Sequence, residues 1–378
     1  MKKILLRFYS RQNFGDDLFV KLFSEQFCDH RIELLCNPLY VPRGLGRNVH
    51  VSPWAWLTTI TGKLQGMSFS SKRINALLRM QYNKLEAWSK KGTDACITIG
   101  GSLFPDYKLS EGDEALPFAV PESCLRSYLF DSHINTASNE FIIGANLGPV
   151  FRADYFDRMK NDFSRYAHVC LRDYASYYPL RDESHIQYAP DVAFLHRPIY
   201  TSAHSDTAIL SVMDVSHHTN DQKIVDTYDV FMAKVAEYYA AKGQNVVLLS
   251  LCNREGDEIA VRRILKLIPD QTRIQCYAYR GDLSPIFGLF ACASVVVATR
   301  FHSMIMGFVY DKPVFPIVYN CKMEHYLQDL DFDGPYATLD TLKNFSVDVV
   351  DKSLICDCSK HKQYAHFQFE ALKQYLKV

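Results

Sequence analysis

The sequence predicts an α/β protein of two Rossmann-like halves with a ligand cleft between them. Three observations carry this expectation. The chain has 378 residues, more than one hydrophobic core usually organises. Its strong apolar runs are continuous rather than alternating, the mark of strands covered on both faces of a parallel sheet. Helical segments lie between those runs, and strand–helix alternation builds doubly wound sheets.

The apolar runs are residues 4–9, 95–99, 141–145, 168–171, 209–213, 246–251, 295–298 and 314–318. Leu18, Phe19, Leu22, Phe23 and Phe27 line one helical face after Asp16. Residues 221–241 carry Ile224, Val225, Tyr228, Phe231, Met232, Val235 and Tyr239 at helical spacing, with Gly243 as a stop signal. Residues 258–268 and 284–292 repeat the pattern. Between 194 and 206, Pro198 and a run of Ser, Thr and His interrupt it. The expected domains are therefore 1–197 and 198–378. Residues 44–72 are poorly periodic and read as a loop beside the cleft. A last helix near 362–376 is expected, with no preference for either half.

Lys plus Arg equals Asp plus Glu, 42 each, so bulk charge points to neither nucleic acid nor an anionic membrane. An anion site has to come from local clustering. With 48% apolar and 22% charged residues, disordered and fibrous classes are excluded. No apolar run is long enough to cross a bilayer. Met1-Lys2-Lys3 starts like a signal peptide, but Arg7 interrupts the apolar run, which reads as a first buried strand. Eleven cysteines are scattered without a Cys-x-x-Cys. They read as free thiols of a cytoplasmic protein, with no metal cluster.

Ligands of open α/β sheets sit beyond the carboxyl ends of strands, so the residues after each strand are the candidates. Asn13-Phe14-Gly15-Asp16 follows the first strand. Gly15 is expected to take a positive φ in a tight turn, and Asp16 to act as acid, base or helix cap. Gly100-Gly101-Ser102 and Asn146 follow two further strands, with Asn146 expected to face the cleft. Arg172 is a candidate anion ligand or a surface ion pair. Asp173 is expected to cap a helix, and Asp191 to face the site or fix the hinge. The sharpest cluster is Arg300-Phe301-His302-Ser303. In extended geometry Arg300 and His302 point the same way, and Arg grips carboxylate or phosphate while His moves a proton near neutral pH. Lys322, in a later loop, adds a second cation. His217, His218 and His325 read as solvent or loop residues.

Taken in order, Asn13-x-Gly15-Asp16, Gly100-Gly101-Ser102, Gly144…Gly148-Pro149, Arg172-Asp173-x-x-Ser176, Asp191, Arg300-x-His302, Pro313 and Tyr319-x-x-Lys322 resemble the polysaccharide pyruvyl transferase family over about residues 2–330. Members often have three glycines where this chain reads Gly-Gly-Ser. The resemblance implies a GT-B-like fold and transfer of the enolpyruvyl carbons of phosphoenolpyruvate to a sugar as a ketal, with phosphate released. It implies an acceptor side in 1–197 and a donor side in 198–378. The family's donor region maps to Arg300 and His302, and the charge of the donor adds Arg172, Lys322 and Ser303 to Arg300 as expected donor-binding residues. His302 is the expected catalytic acid or phosphate ligand, Asp16 is the expected group that deprotonates or orients a hydroxyl, and Asn13, Gly15, Gly100, Gly101, Ser102, Asn146 and Asp191 are expected to contact the acceptor or shape loops. Phosphoenolpyruvate is a co-substrate and no further cofactor or metal is expected. The acceptor is a sugar, free or lipid-linked, and a lipid-linked one would hold the enzyme at the inner membrane face beside membrane glycosyltransferases. Trp54, Trp56 and Phe69 are candidate contacts to such a substrate. Two rivals stay open: a nucleotide-sugar glycosyltransferase, with Glu255 or Glu258 holding a ribose, and a non-catalytic binding protein of a glycan pathway.

Overall fold

A computed structural model describes residues 1–66, 72–104, 106, 139–199 and 206–377. Phe69 and residues 200–205 of the expected linker lie outside the described residues. The chain divides into two compact units. One holds Met1–Arg11, Phe19–Asp191 and His366–Val378, the other Gln12–Leu18 and Val192–Ala365.

The first unit is built on a parallel sheet of β1 (Lys3–Arg7), β2 (Arg31–Leu34), β3 (Val49–Val51), β4 (Ala95–Ile99), β5 (Glu140–Ala145), β6 (His168–Leu171) and β7 (Ile186–Tyr188). Their order is β3-β2-β1-β4-β5-β6-β7. Ile4, Leu5 and Leu6 of β1 are fully buried, which is why this strand reads as a continuous apolar run. Helices α1 (Phe14–Gln26), α2 (Ala55–Gly66), α3 (Lys72–Lys90), α4 (Ala153–Phe163) and α5 (Tyr174–Tyr177) follow its strands. The expected loop at 44–72 is thus corrected: it contains β3, all of α2 and the first residue of α3.

The second sheet holds β8 (Thr207–Val212), β9 (Asn245–Ser250), β10 (Ile274–Ala278), β11 (Ala293–Ala298), β12 (Val314–Val318) and β13 (Ala337–Thr338), in the order β10-β9-β8-β11-β12-β13. Its helices are α6 (Gln222–Ala241), α7 (Asp257–Leu265), α8 (Leu283–Cys292), α9 (Phe301–Val309), α10 (Cys321–Asp329) and α11 (Ser359–Tyr364). Asp221 caps α6 by accepting from Lys223 N at 2.9 Å, and Gly243 ends it at φ 84°. The face of α6 with Tyr228, Phe231, Met232 and Val235 packs onto β8, β9, β11 and β12. Burying each such side chain contributes about 1.5–3 kcal/mol.

Renumbered within its own sheet, each unit opens with the order 3-2-1-4-5-6, the doubly wound Rossmann pattern. The order reverses between β1 and β4 in one sheet and between β8 and β11 in the other. A last helix, α12 (Glu370–Leu376), belongs to the first unit. Just before it, Gln368 accepts from Gly144 N at 2.9 Å and donates to Ala189 O at 2.7 Å. Phe369 packs edge-on against Phe23.

Candidate functional site

In the second unit, β11 lies at the reversal point and delivers Thr299-Arg300 directly to the start of α9. Thr299 Oγ1 lies 3.0 Å from Tyr228 Oη, which in turn accepts from Met213 N at 3.1 Å. This pins the strand exit. Arg300 occupies the N-cap position and the helix begins at Phe301. The expected extended geometry for Arg300 and His302 is therefore corrected: His302 lies inside a helical first turn, and the two side chains do not leave the backbone in parallel.

The imidazole of His302 sits against the first turn of α1. A Cβ added to Gly15 would lie 1.9 Å from His302 Nδ1 and 2.3 Å from Cε1. Gly15 does not have the expected positive φ; it is helical, and the close approach of His302 is what requires glycine. The helix cap is also reassigned. Asn13, not Asp16, caps α1, its Oδ1 accepting from Gly15 N at 3.0 Å and its carbonyl from Asp17 N at 3.0 Å. Asp16 is half-buried in the same first turn. Two helix starts thus abut at the Gly15–His302 contact. Each carries a partial positive charge of about half an electron, and together they form a setting for an anion. Ser303, next to His302, is fully buried, and its hydroxyl makes no hydrogen bond among the described residues.

Arg300 is held by carboxylates. Its Nε donates to Asp257 Oδ2 at 3.1 Å, its Nη2 also bonds Asp257, and its Nη1 bonds Glu255. Asp257 further accepts from Leu251 N and Cys252 N at 3.1 and 2.8 Å. Burial pushes the Asp257 carboxyl up to about 6 even against the pull of Arg300. Lys322 is not in a loop: it is the second residue of α10, whose cap is Asn320. His218, expected to be a plain loop residue, keeps solvent access but packs at a tilt against Tyr319, with 4.6 Å between ring centres. Crowding by protein atoms, then the charges of Arg300 and Lys322, lower its pKa to about 4. Arg300, Lys322, His218 and Glu255 are therefore electrostatic neighbours, and the imidazole of His218 is neutral near pH 7.

Asp17 was not a candidate from the sequence. It is fully buried, accepts from Tyr279 Oη at 2.6 Å through Oδ2, and its Oδ1 has no hydrogen bond among the described residues. Burial pushes its pKa up to about 7. Two residues along a helix is a rotation of about 200°, so Asp17 leaves α1 away from the face that carries Gly15. The doubled acid after Gly15 was the available signal.

In the first unit, Gly101, Asn146, Arg172 and Asp191 come together. Arg172 is buried, not a surface ion pair: Nη1 donates to Asp191 Oδ2 at 2.7 Å and Nη2 to Asn146 Oδ1 at 3.2 Å. Its guanidinium covers Gly101, where a Cβ would lie 2.6 Å away. Asn146, expected to face the cleft, is instead buried and also donates to Gly148 O at 3.2 Å. These residues tie the carboxyl ends of β4, β5 and β6 to Asp191 beyond β7. Gly100 N bonds Ile143 O at 3.2 Å, while Ser102 is exposed. Asp173 caps α5 through Ser176 N at 2.8 Å, as expected. Among the described residues no three His, Cys, Asp or Glu side chains are grouped to hold a metal.

A model of the polysaccharide pyruvyl transferase family matches residues 13–320. The chain belongs to that family. The match runs from the cap of α1 to the cap of α10, and so spans both clusters of this family member. No curated protein matches the sequence. Among solved structures, a TarM variant from S. aureus in complex with UDP superposes with a TM-score of 0.56 at 9% identity, covering 100% of each chain. The UDP-GlcNAc 2-epimerase of Methanocaldococcus jannaschii gives 0.51 at 10% identity, covering 93% of this chain and 92% of that one. At such identities the likeness is one of fold, and it is a likeness to two-sheet Rossmann-type proteins. No helix among the described residues is long and apolar enough to cross a membrane.

Proposed function

We propose that this family member transfers the pyruvyl group of phosphoenolpyruvate onto two hydroxyls of a sugar in a cell-surface polysaccharide or its lipid-linked precursor, at the cytoplasmic face of the inner membrane. The observation that carries the reading is the meeting of two helix N-termini across Gly15 and His302, beside the Arg300, Lys322 and His218 group. Phosphoenolpyruvate has close to three negative charges at neutral pH, and oriented backbone N–H groups with the Lys322 ammonium nearby meet part of that demand. No further cofactor is invoked.

In this reading a proton adds to the methylene carbon of the donor, and positive charge develops at the carbon bearing phosphate and carboxylate. One sugar hydroxyl attacks there, phosphate leaves with its bridging oxygen, and the second hydroxyl closes the ketal as both hydroxyl protons depart. His302 supplies the proton or holds the phosphate, and Asp16 orients or deprotonates a hydroxyl. Ser303 and Lys322 assist the donor. Arg300, neutralised by Asp257 and Glu255, shapes this cluster more than it adds net charge. Arg172 and Asn146, locked to Asp191, support the loops of the first sheet. A lipid-linked acceptor places membrane glycosyltransferases among its neighbours. The nucleotide-sugar alternative shares the fold of the structural neighbours, but the two carboxylates it would use for a ribose are already paired, Glu255 with Arg300 and Glu258 with Arg280 at 2.6 Å.

The test is phosphate release from phosphoenolpyruvate against a panel of lipid-linked and free sugars, with nucleotide sugars as the competing donors. Release that needs both phosphoenolpyruvate and a sugar supports the reading. Product formed from a nucleotide sugar alone rejects it.

A further inference from the structure

The α2–α3 hairpin exposes what a soluble surface normally hides. On α2, Trp56, Leu57 and Ile60 are 51%, 48% and 51% exposed; on α3, Leu77, Met80 and Trp88 are 53%, 44% and 53% exposed. Residues 77, 80, 84 and 88 follow helical spacing, so Leu77, Met80, Lys84 and Trp88 form one stripe. Trp54 and Trp88 lie 5.5 Å apart between ring centres, joining the start of one helix to the end of the other.

The opposite face of α3 is fixed to the sheet. Glu86 bonds Arg7 of β1, and Lys90 bonds Glu140 of β5 at 2.8 Å. Tyr82, Leu85 and Ser89 are buried on that side. The outward orientation of the apolar stripe therefore follows from buried ion pairs, and it is a property of the folded unit.

Charge selects the occupant. From residue 38 to residue 91 the chain carries nine Lys or Arg and one carboxylate, Glu86, in a protein whose total charges balance at 42 each. That carboxylate is committed to Arg7. Lys63, Arg73 and Lys84 are exposed on the two helices. Exposed Trp, Leu, Ile and Met framed by cations match a bilayer interface, where apolar side chains enter the acyl boundary and cations meet anionic headgroups. A nucleic acid would meet the same cations but gain little from Leu57, Ile60 and Leu77.

We infer that the α2–α3 hairpin is a docking surface for an anionic lipid bilayer. The inference goes beyond the transfer reading and uses none of its chemistry. The test is cosedimentation of the full chain with vesicles of phosphatidylcholine alone or mixed with phosphatidylglycerol, at low and high salt. Binding is expected on the mixed vesicles, weakening about tenfold or more on phosphatidylcholine alone or in high salt. Lys63→Glu/Lys84→Glu and Trp56→Ser/Leu77→Ser are each expected to lower it by about tenfold or more, with unchanged thermal melts because all four positions are exposed. Absence of vesicle binding, or binding indifferent to both double variants, overturns the inference. So does a dimer that Trp56→Ser/Leu77→Ser disperses without any vesicle binding, or a preference for nucleic acid over vesicles. The assay contains neither donor nor acceptor, so its failure leaves the transfer chemistry intact, and the reverse also holds.

Discussion

The imidazole of His302 rests on the α-carbon of Gly15, with room for hydrogen and no room for a methyl group. Within a helix, Ala is otherwise favoured over Gly by about 1 kcal/mol. Gly15→Ala therefore sets local propensity against one contact. The expected outcome is a fall in turnover of about 100-fold or more, the range of a misplaced acid or base, with a melting temperature that changes by only a few degrees. Phosphate-release kinetics and thermal melts measure the two sides.

The same contact predicts non-additivity. If Gly15→Ala acts by displacing His302, adding it to His302→Ala costs nothing more, because residues in direct contact couple. The double variant should match His302→Ala within about twofold. Multiplying effects would show that Gly15 serves some other purpose.

Asp17 gives a pH signature. Its carboxyl is raised from 3.8 to about 7 by burial, so the folded state binds this proton more tightly than the unfolded chain. Its contribution to stability is complete below about pH 4 and is lost as pH rises through about 7. Asp17→Asn keeps an acceptor for Tyr279 and removes that dependence. It should gain on the order of 1–3 kcal/mol over wild type near pH 8 and nothing near pH 4. Denaturant midpoints at the two pH values decide it, and a loss of stability near pH 8 would contradict the burial argument.

Arg172 behaves as a structural ion. Arg172→Met leaves Asp191 charged and fully buried, which costs about 3–5 kcal/mol. Arg172→Met combined with Asp191→Asn should recover a large part of that loss. A single variant with near wild-type stability and impaired donor affinity would return Arg172 to the donor-binding role expected from sequence.

What was legible in the sequence follows from how each feature is encoded. Buried parallel strands such as 95–99 and 295–298 announce themselves as unbroken apolar runs, and α6 carries a cap at Asp221 and a stop at Gly243, each within two residues of its end. Edge strands do not: residues of β10 are half-buried or exposed, so their pattern is weak. Among the candidate residues, position in the chain was readable and side-chain partnership was not. Nothing local in Arg300 tells that Asp257, 43 residues earlier, will neutralise it, nor in Arg172 that Asp191 and Asn146 will enclose it. Asp16 and Asp17 look alike as text, and only burial against Tyr279 separates them. The charge imbalance of residues 38–91 was hidden by a net charge of zero.

The most direct test of the central claim is phosphate release from phosphoenolpyruvate by wild type and His302→Ala, both folded, in the presence of lipid-linked sugars. The account predicts acceptor-dependent release by wild type and a loss of about 100-fold or more in the variant. Near-normal turnover by His302→Ala would contradict it.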